Sequence, residues 1–351
     1  MNGAPTALGR ESAKLEPLVA VFRRLSLIID ELFFLDTMNL SPNDFCRMGL
    51  QFAKMTLPEQ ETKGVAKCYD LFRALYGSPP EVLSDLWEDL CITNIAAARV
   101  PVHEQNPKGL KMYLIANYFL WTYPRSAKLI EAHFAPIAEI DTRGRPLWKW
   151  IDRIAAILPD KIQWLPALDD PNEPAFIVSV DGVHCRTDER RDHPLFPMNR
   201  ARYSQKYKHA GLTYEIGVAV YEQKIVWVNG PYQAGTNDLS MLRQGKPDGS
   251  GSILDKVQPG KMLVLDRGYQ TSRPTEQPKM AFKSNDDPPE LCEVKARTMC
   301  RHETVNGRIK QFKFASETFR HSDPQHGIGF MATCVLVQCQ LDCGAAFLYD
   351  V

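Results

Sequence analysis

The chain has no excess of charge of either sign: 42 Lys and Arg residues balance 42 Asp and Glu. That excludes a uniformly basic nucleic-acid binder. Local basic faces survive a neutral total, so the placement of charge has to be read. No CxxC pair occurs among the nine cysteines, whose number is odd and spacing irregular. This disfavours a zinc site and a disulfide framework. Cys334, Cys339 and Cys343 lie in an apolar C-terminal stretch and read as small core residues, as expected in a reducing compartment. No long hydrophobic run is present. The longest, near Ile328 to Val337, is too short to span a bilayer. The N-terminal MNGAPTALGRESAKLEPL has no apolar core of signal-peptide length. These absences predict a soluble intracellular protein with no membrane partner. Internal repeats, low-complexity tracts and a clear basic targeting run are also lacking.

What remains is ordinary globular composition, 44% hydrophobic and 24% charged over 351 residues. That length predicts about two to three domains. Residues 1–105 read as a helical accessory region. VAVFRRLSLIIDELFFL has helical apolar spacing, and Ser41-Pro42 marks a helix start. Residues 106–165 read as three short helices, stopped near Pro124, restarted after Ser126, and restarted again near Pro146. Arg143, Arg145, Lys149 and Arg153 surround the third. The pattern suits a helix-turn-helix-like DNA-binding unit or, equally, a trihelical packing unit with a solvated basic face. The polar, proline-rich PALDDPNEP then reads as a linker.

Residues 166–351 change character. FIVSV and KMLVLD read as buried strands, and LTYEIGVAVY with KIVWVNG as a hairpin. TNDLSMLRQ opens a helix capped by Thr236 or Asn237, MAFKS reads as a further strand, and a long helix is predicted from about Pro289 to Ile309. The predicted class is α/β: a mixed sheet flanked by helices, behind an all-α N-terminal region.

Four acids stand out in this part: Asp181 after FIVSV, Asp238 in GTNDLSML, Asp266 after MLVL and Glu303 on the basic helix. Phosphodiester chemistry needs an activated water or hydroxyl and a stabilised leaving oxygen. Two hard divalent ions about 4 Å apart supply both, held by carboxylates from separate elements. Each acid alone has a plainer reading: a turn or cap for Asp181, Asp238 and Asp266, a surface ion pair for Glu303. The set is more specific than its members. Asn306 and Lys310 share a helix face with Glu303, and Arg297, Arg301, Arg308 and Lys313 add positive charge. A second basic stretch carries Arg186, Arg190, Arg191, Arg200, Arg202, Lys206 and Lys208 with Tyr203 and Tyr207 interleaved. It suits a nucleic-acid backbone, or a solvated hairpin partly neutralised by Asp188, Glu189 and Asp192. His184 reads as a substrate contact or a loop-ordering group.

DGVH, N-x-x-x-YSQKYKHAG, GTNDLSML, LVLDRGY and HETVNGRIK together resemble the PIF/Harbinger-type DDE transposases, over about residues 166–351. The resemblance implies an RNase H-like catalytic domain using two Mg²⁺ or Mn²⁺ ions. It implies Asp181, Asp266 and Glu303 as catalytic metal ligands and Asp238 as an auxiliary ligand. Val183 stands where the family has threonine, and Leu265 where it has glycine. Implied partners are DNA, as transposon ends and target, a dimer or higher assembly, and in some systems a separate DNA-binding protein. Nuclear residence follows from the same resemblance. The expected DNA-facing residues are Arg200, Arg202, Lys206, Lys208, Arg301, Asn306, Arg308 and Lys310, with Arg143, Arg145 and Lys149 from the helical unit. Two other readings stand beside it: a domesticated or inactive relative that binds DNA or protein, and an unrelated metal hydrolase of small phosphoesters. The extended cationic stretches argue against the last.

Overall fold

A computed structural model describes residues 40–55, 62–96, 107–134, 145–188, 200–246, 249–284 and 286–345. The predicted helix at VAVFRRLSLIIDELFFL lies outside them. The N-terminal part contains α1 (Pro42–Phe52), α2 (Thr62–Tyr76), α3 (Pro80–Ala96), α4 (Pro107–Thr122), α5 (Ala127–His133), α6 (Arg145–Ala156) and the single turn α7 (Leu158–Lys161). Ser41 caps α1 as expected: its hydroxyl accepts from the Asp44 amide, and Pro42 needs no partner there.

A mixed sheet follows, built from β1 (Phe176–Arg186), β2 (Tyr203–Ser204), β3 (His209–Ala219), β4 (Ile225–Gln233), β5 (Met262–Leu265) and β6 (Met280–Phe282). The main order is β4-β3-β1-β5-β6, with β2 pairing one end of β3. β1, β3 and β4 run antiparallel, whereas β5 and β6 join parallel to β1. This is the RNase H-like arrangement expected. Helices α8 (Asp238–Arg243), α9 (Ile253–Lys256), α10 (Pro289–Gln311), α11 (Lys313–Ser316) and α12 (Asp323–Asp342) flank it. No described helix is long and apolar enough to cross a membrane.

Each face of the sheet has its own core. On one, Val178, Val180, Trp227, Leu263 and Tyr269 pack with Leu242 and Ile253. On the other, Val183, Cys185, Tyr214 and Ile216 meet α10 and α12, and the same core continues into the N-terminal helices through Phe119, Trp148 and Ile151. The apolar interior is thus continuous across the segment read as a linker. Within α6, Trp148, Trp150, Ile151 and Ile154 are buried, and Arg153 is buried with its guanidinium 4.3 Å from the Trp150 ring centre. These contacts favour packing as the task of that helix.

One glycine in α12 is required by this packing. A Cβ on Gly329 would lie 2.1 Å from Cζ of Phe314, a fully buried ring. Gly307 in α10 has nothing within 4 Å of that position. Gly329→Ala therefore lowers stability by about 1–3 kcal/mol through overpacking. Gly307→Ala raises it by roughly 0.5–1 kcal/mol through the unfolded chain's lost freedom. Thermal melts of the two variants moving the same way would contradict this packing.

Candidate active site

β5 pairs with β1 so that Val180 faces Leu265. Asp181 and Asp266 come one residue later on each chain, side by side. FIVSV does not end at Asp181, as the sequence reading had it. β1 runs on to Arg186, because β3 pairs along it as far as Arg186 and Gly211. β5 stops at Leu265, so beyond Asp181 the other edge of β1 is not covered by β5. Crevices outside the carboxyl ends of parallel strands are common binding places in α/β folds.

Asp181 faces α10. Side chains on alternate positions of β1 meet successive turns of that helix: Ser179 Oγ lies 2.9 Å from His302 Nδ1, and Asn306 Nδ2 donates to Asp181 Oδ2 at 3.3 Å. Lys310, a turn further, donates to the carbonyls of His184 and Ala315 and thereby ties α10 to β1. His302 is wholly buried, which pushes its imidazole down to about 4 and keeps it neutral at pH 7.

Asp238 arrives from the opposite face. Its Oδ1 lies 3.7 Å from where a Cβ on Gly182 would point. Asn237, not Asp238, caps α8, with its carbonyl oxygen accepting from the Ser240 amide. Asp238 and Asp266 meet at Gly268. A Cβ there would sit 2.7 Å from Asp238 Oδ2 and 2.9 Å from Asp266 Oδ1, so any side chain would push the two carboxylates aside. Asp266 also accepts from the Gly268 amide at 2.6 Å.

The electrostatics reflect this convergence. Burial pushes Asp181 up to about 6, with Asp266 and Asp238 adding to the rise and Lys206 opposing it. Burial raises Asp238 too, followed by Asp266. Glu303 is exposed on α10, one turn before Asn306. Among the described residues, no three His, Cys, Asp or Glu side chains form a group ready to hold a metal ion. Asp181, Asp238 and Asp266 nonetheless act on one another's charge.

The expected DNA-facing residues divide. Lys206 and Lys208 are exposed on the β2–β3 turn, and Lys149 is exposed on α6. Arg202 pairs with Asp323 at the start of α12. Arg301 corrects the expectation: it is 5% exposed, and its guanidinium donates to the carbonyls of Val220 and Glu222. Asn306 and Lys310 are engaged with β1, and Arg308 is half-buried, held below the usual range by burial and by Arg73. Arg143 lies outside the described residues, as do the side chains of Arg145 and Arg200.

Two groups at the site were not singled out from the sequence. Glu215 on β3 pairs with Gly182 and is completely buried. Its Oε1 accepts from Trp227 Nε1 at 2.8 Å, and Oε2 has no hydrogen-bond partner. Burial pushes its carboxyl up to about 8. Tyr269, in LDRGY, buries a hydroxyl that also lacks a partner. A lone acid inside the apolar LTYEIGVAVY was the available signal for the first.

Residues 180–341 match the family model described as DDE superfamily endonuclease. No curated protein and no solved structure matches the chain. The matched span holds Asp181, Asp238, Asp266 and Glu303, and it supports a DDE transposase-like nuclease domain over residues 180–341.

Proposed function

We propose that this chain is a metal-dependent DNA endonuclease and strand transferase of the transposase type, with the PIF/Harbinger motif set. The observation that carries the reading is the β1–β5 register, which sets Asp181 beside Asp266, together with the approach of Asp238 to Asp266 at Gly268. The donors fit divalent ions in kind. All are carboxylate oxygens, and burial and mutual repulsion hold Asp181 above its usual range, a cost that bound positive charge offsets.

Asp181 and Asp266 would hold such ions, with Glu303 completing the set from α10 and Asp238 at its edge. Bound Mg²⁺ or Mn²⁺, two per site, would supply an activated water or hydroxyl and stabilise the leaving oxygen. Asn306 orients Asp181 through its amide. His302 and Lys310 lock α10 against β1, and so set where Glu303 stands. Lys206 and Lys208 offer cations to a phosphate backbone beside the carboxylates. Self-association, a separate DNA-binding partner and nuclear residence go with the same subtype.

A second reading, a relative that binds DNA without cutting it, draws on the lack, among the described residues, of three acidic, His or Cys side chains grouped to hold a metal ion. The test uses plasmid carrying the sequence that flanks the gene. The expected result is nicking or joining that needs Mg²⁺ or Mn²⁺ and stops with EDTA, over DNA binding that weakens as salt rises. Salt-dependent binding without cleavage under either ion would favour the second reading. Absence of binding altogether would defeat both.

A further inference from the structure

A cavity of about 480 Å³ opens beside Asp181, along the stretch of β1 that β5 leaves uncovered. Small-molecule sites begin at roughly 300 Å³, so the space accommodates a nucleoside. Its walls combine the edge of the carboxylate cluster with a set of rings. Tyr207 lies parallel to His184, with centroids 4.5 Å apart and planes 16° apart. His184 Nε2 in turn meets His209 Nδ1 at 3.2 Å, and His184 Nδ1 meets the Thr213 hydroxyl at 3.4 Å.

This stack is built rather than incidental. Ser204 accepts from the Tyr207 amide through its hydroxyl and from the Lys208 amide through its carbonyl. Lys208 takes a positive φ of 60° to close the turn. The four-residue turn thus presents Tyr207 over a ring that β1 and β3 hold in place. Yet Tyr207 keeps 45% of its surface exposed. A large ring backed by a second ring and left half open is the form of a stacking platform. The Lys206 ammonium lies over the Tyr207 ring, 5.4 Å from its centre, and its charge acts on Asp181 and Asp238. Tyr207 and Asp181 thus line one opening, with the Lys206 cation at the ring.

We propose that this cavity receives an unpaired nucleobase of the DNA strand, stacked on Tyr207, while the adjoining phosphate lies between Lys206 and the carboxylates. The assignment rests on the DNA nuclease reading above. A base inside a duplex has both faces covered by its neighbours, so a base within the strand must leave the stack before it can lay a face on the ring. Stacking of this kind accepts any base, because every base has a π-face.

The test separates base from backbone. Fluorescence anisotropy compares a single-stranded oligothymidylate with an abasic oligomer of equal length and phosphate number, in EDTA so that neither is cut. The full-length protein should bind the base-bearing strand about ten-fold more tightly, the scale of one base–aromatic stack. Tyr207→Ala should bring that ratio close to one, and Tyr207→Phe, which keeps the ring, should preserve it. Lys206→Ala should weaken both oligomers by similar factors. A ratio near one in the unaltered protein, or a ratio that survives Tyr207→Ala, overturns the inference. If both oligomers and duplex DNA bind equally and with salt dependence, the pocket assignment alone fails. If nothing binds, the DNA reading fails with it.

Discussion

Asp181→Asn loses metal-dependent cleavage by on the order of a thousand-fold or more, while the fold stands. The substitution changes charge and little else. Asparagine has the same shape, and its amide oxygen still accepts from Asn306 Nδ2. What disappears is one of the carboxylates gathered by the β1–β5 register and the Gly268 contact. Stability should move the other way. Asp181 is held up to about 6 by burial, then by Asp266 and Asp238. Its ionised form is therefore disfavoured in the fold, and that cost is present at neutral pH and vanishes below about 4. The variant should melt at the same temperature as the parent at about pH 3.5 or below, and at an equal or higher one at pH 7.5. Added Mn²⁺ should raise the melting temperature of the parent and leave the variant nearly unmoved. Full activity in a well-folded Asp181→Asn variant would remove this residue from the mechanism, and with it the central pair.

Much of this arrangement was legible in the sequence, for identifiable reasons. FIVSV and MLVL are short apolar runs of the kind that two covered sheet faces demand, so the two strands that carry Asp181 and Asp266 could be read directly. The long helix was legible from its proline start, and it runs from Pro289 to Gln311. Its facing was not. Lys295, Arg301 and His302 lie on its buried side at three- and four-residue spacing together with Thr298, Val305 and Ile309. A composition rich in Arg and Lys reads as a solvated face, but long stems can bury while their tips reach carbonyl groups. Arg301 does this with Val220 and Glu222, and Lys310 with His184 and Ala315. The full length of β1 was hidden for a different reason. DGVHCR has a glycine and polar groups that break the apolar run, and only pairing with β3 keeps it extended. Likewise the Tyr207 platform depends on a turn folding back over β1, a contact with no local signature.

Glu215→Gln stabilises the protein at neutral pH and flattens its pH profile. Glu215 has no exposure and lies opposite Gly182 in the middle of the sheet. Burial pushes its carboxyl from 4.5 up to about 8. At pH 7 it is thus protonated in the fold and ionised in the unfolded chain. Unfolding releases a proton throughout the window from about 4.5 to 8, so the fold loses stability as pH rises through that window. The cumulative cost at pH 7 is about 3 kcal/mol at the usual conversion of pKa shift to free energy. Glutamine reproduces the neutral acid: its oxygen accepts from Trp227 Nε1, and its NH₂ stands where Oε2 already lacks a partner. His302 works with the opposite sign. Its folded value near 4 lies below the usual 6.5, so its contribution is complete above 6.5 and is lost as pH falls toward 4. The two groups offset one another between about 4.5 and 6.5, so in that window melts of the unaltered protein alone do not separate them. Urea unfolding of Glu215→Gln beside the parent at pH 5, 7 and 8 separates them. The two should agree closely at pH 5 and diverge progressively above it, with the variant ahead. Parallel profiles would mean that Glu215 is already ionised in the fold, which requires a positive partner beside Asp238 and Tyr269 that the buried face of the sheet does not otherwise need.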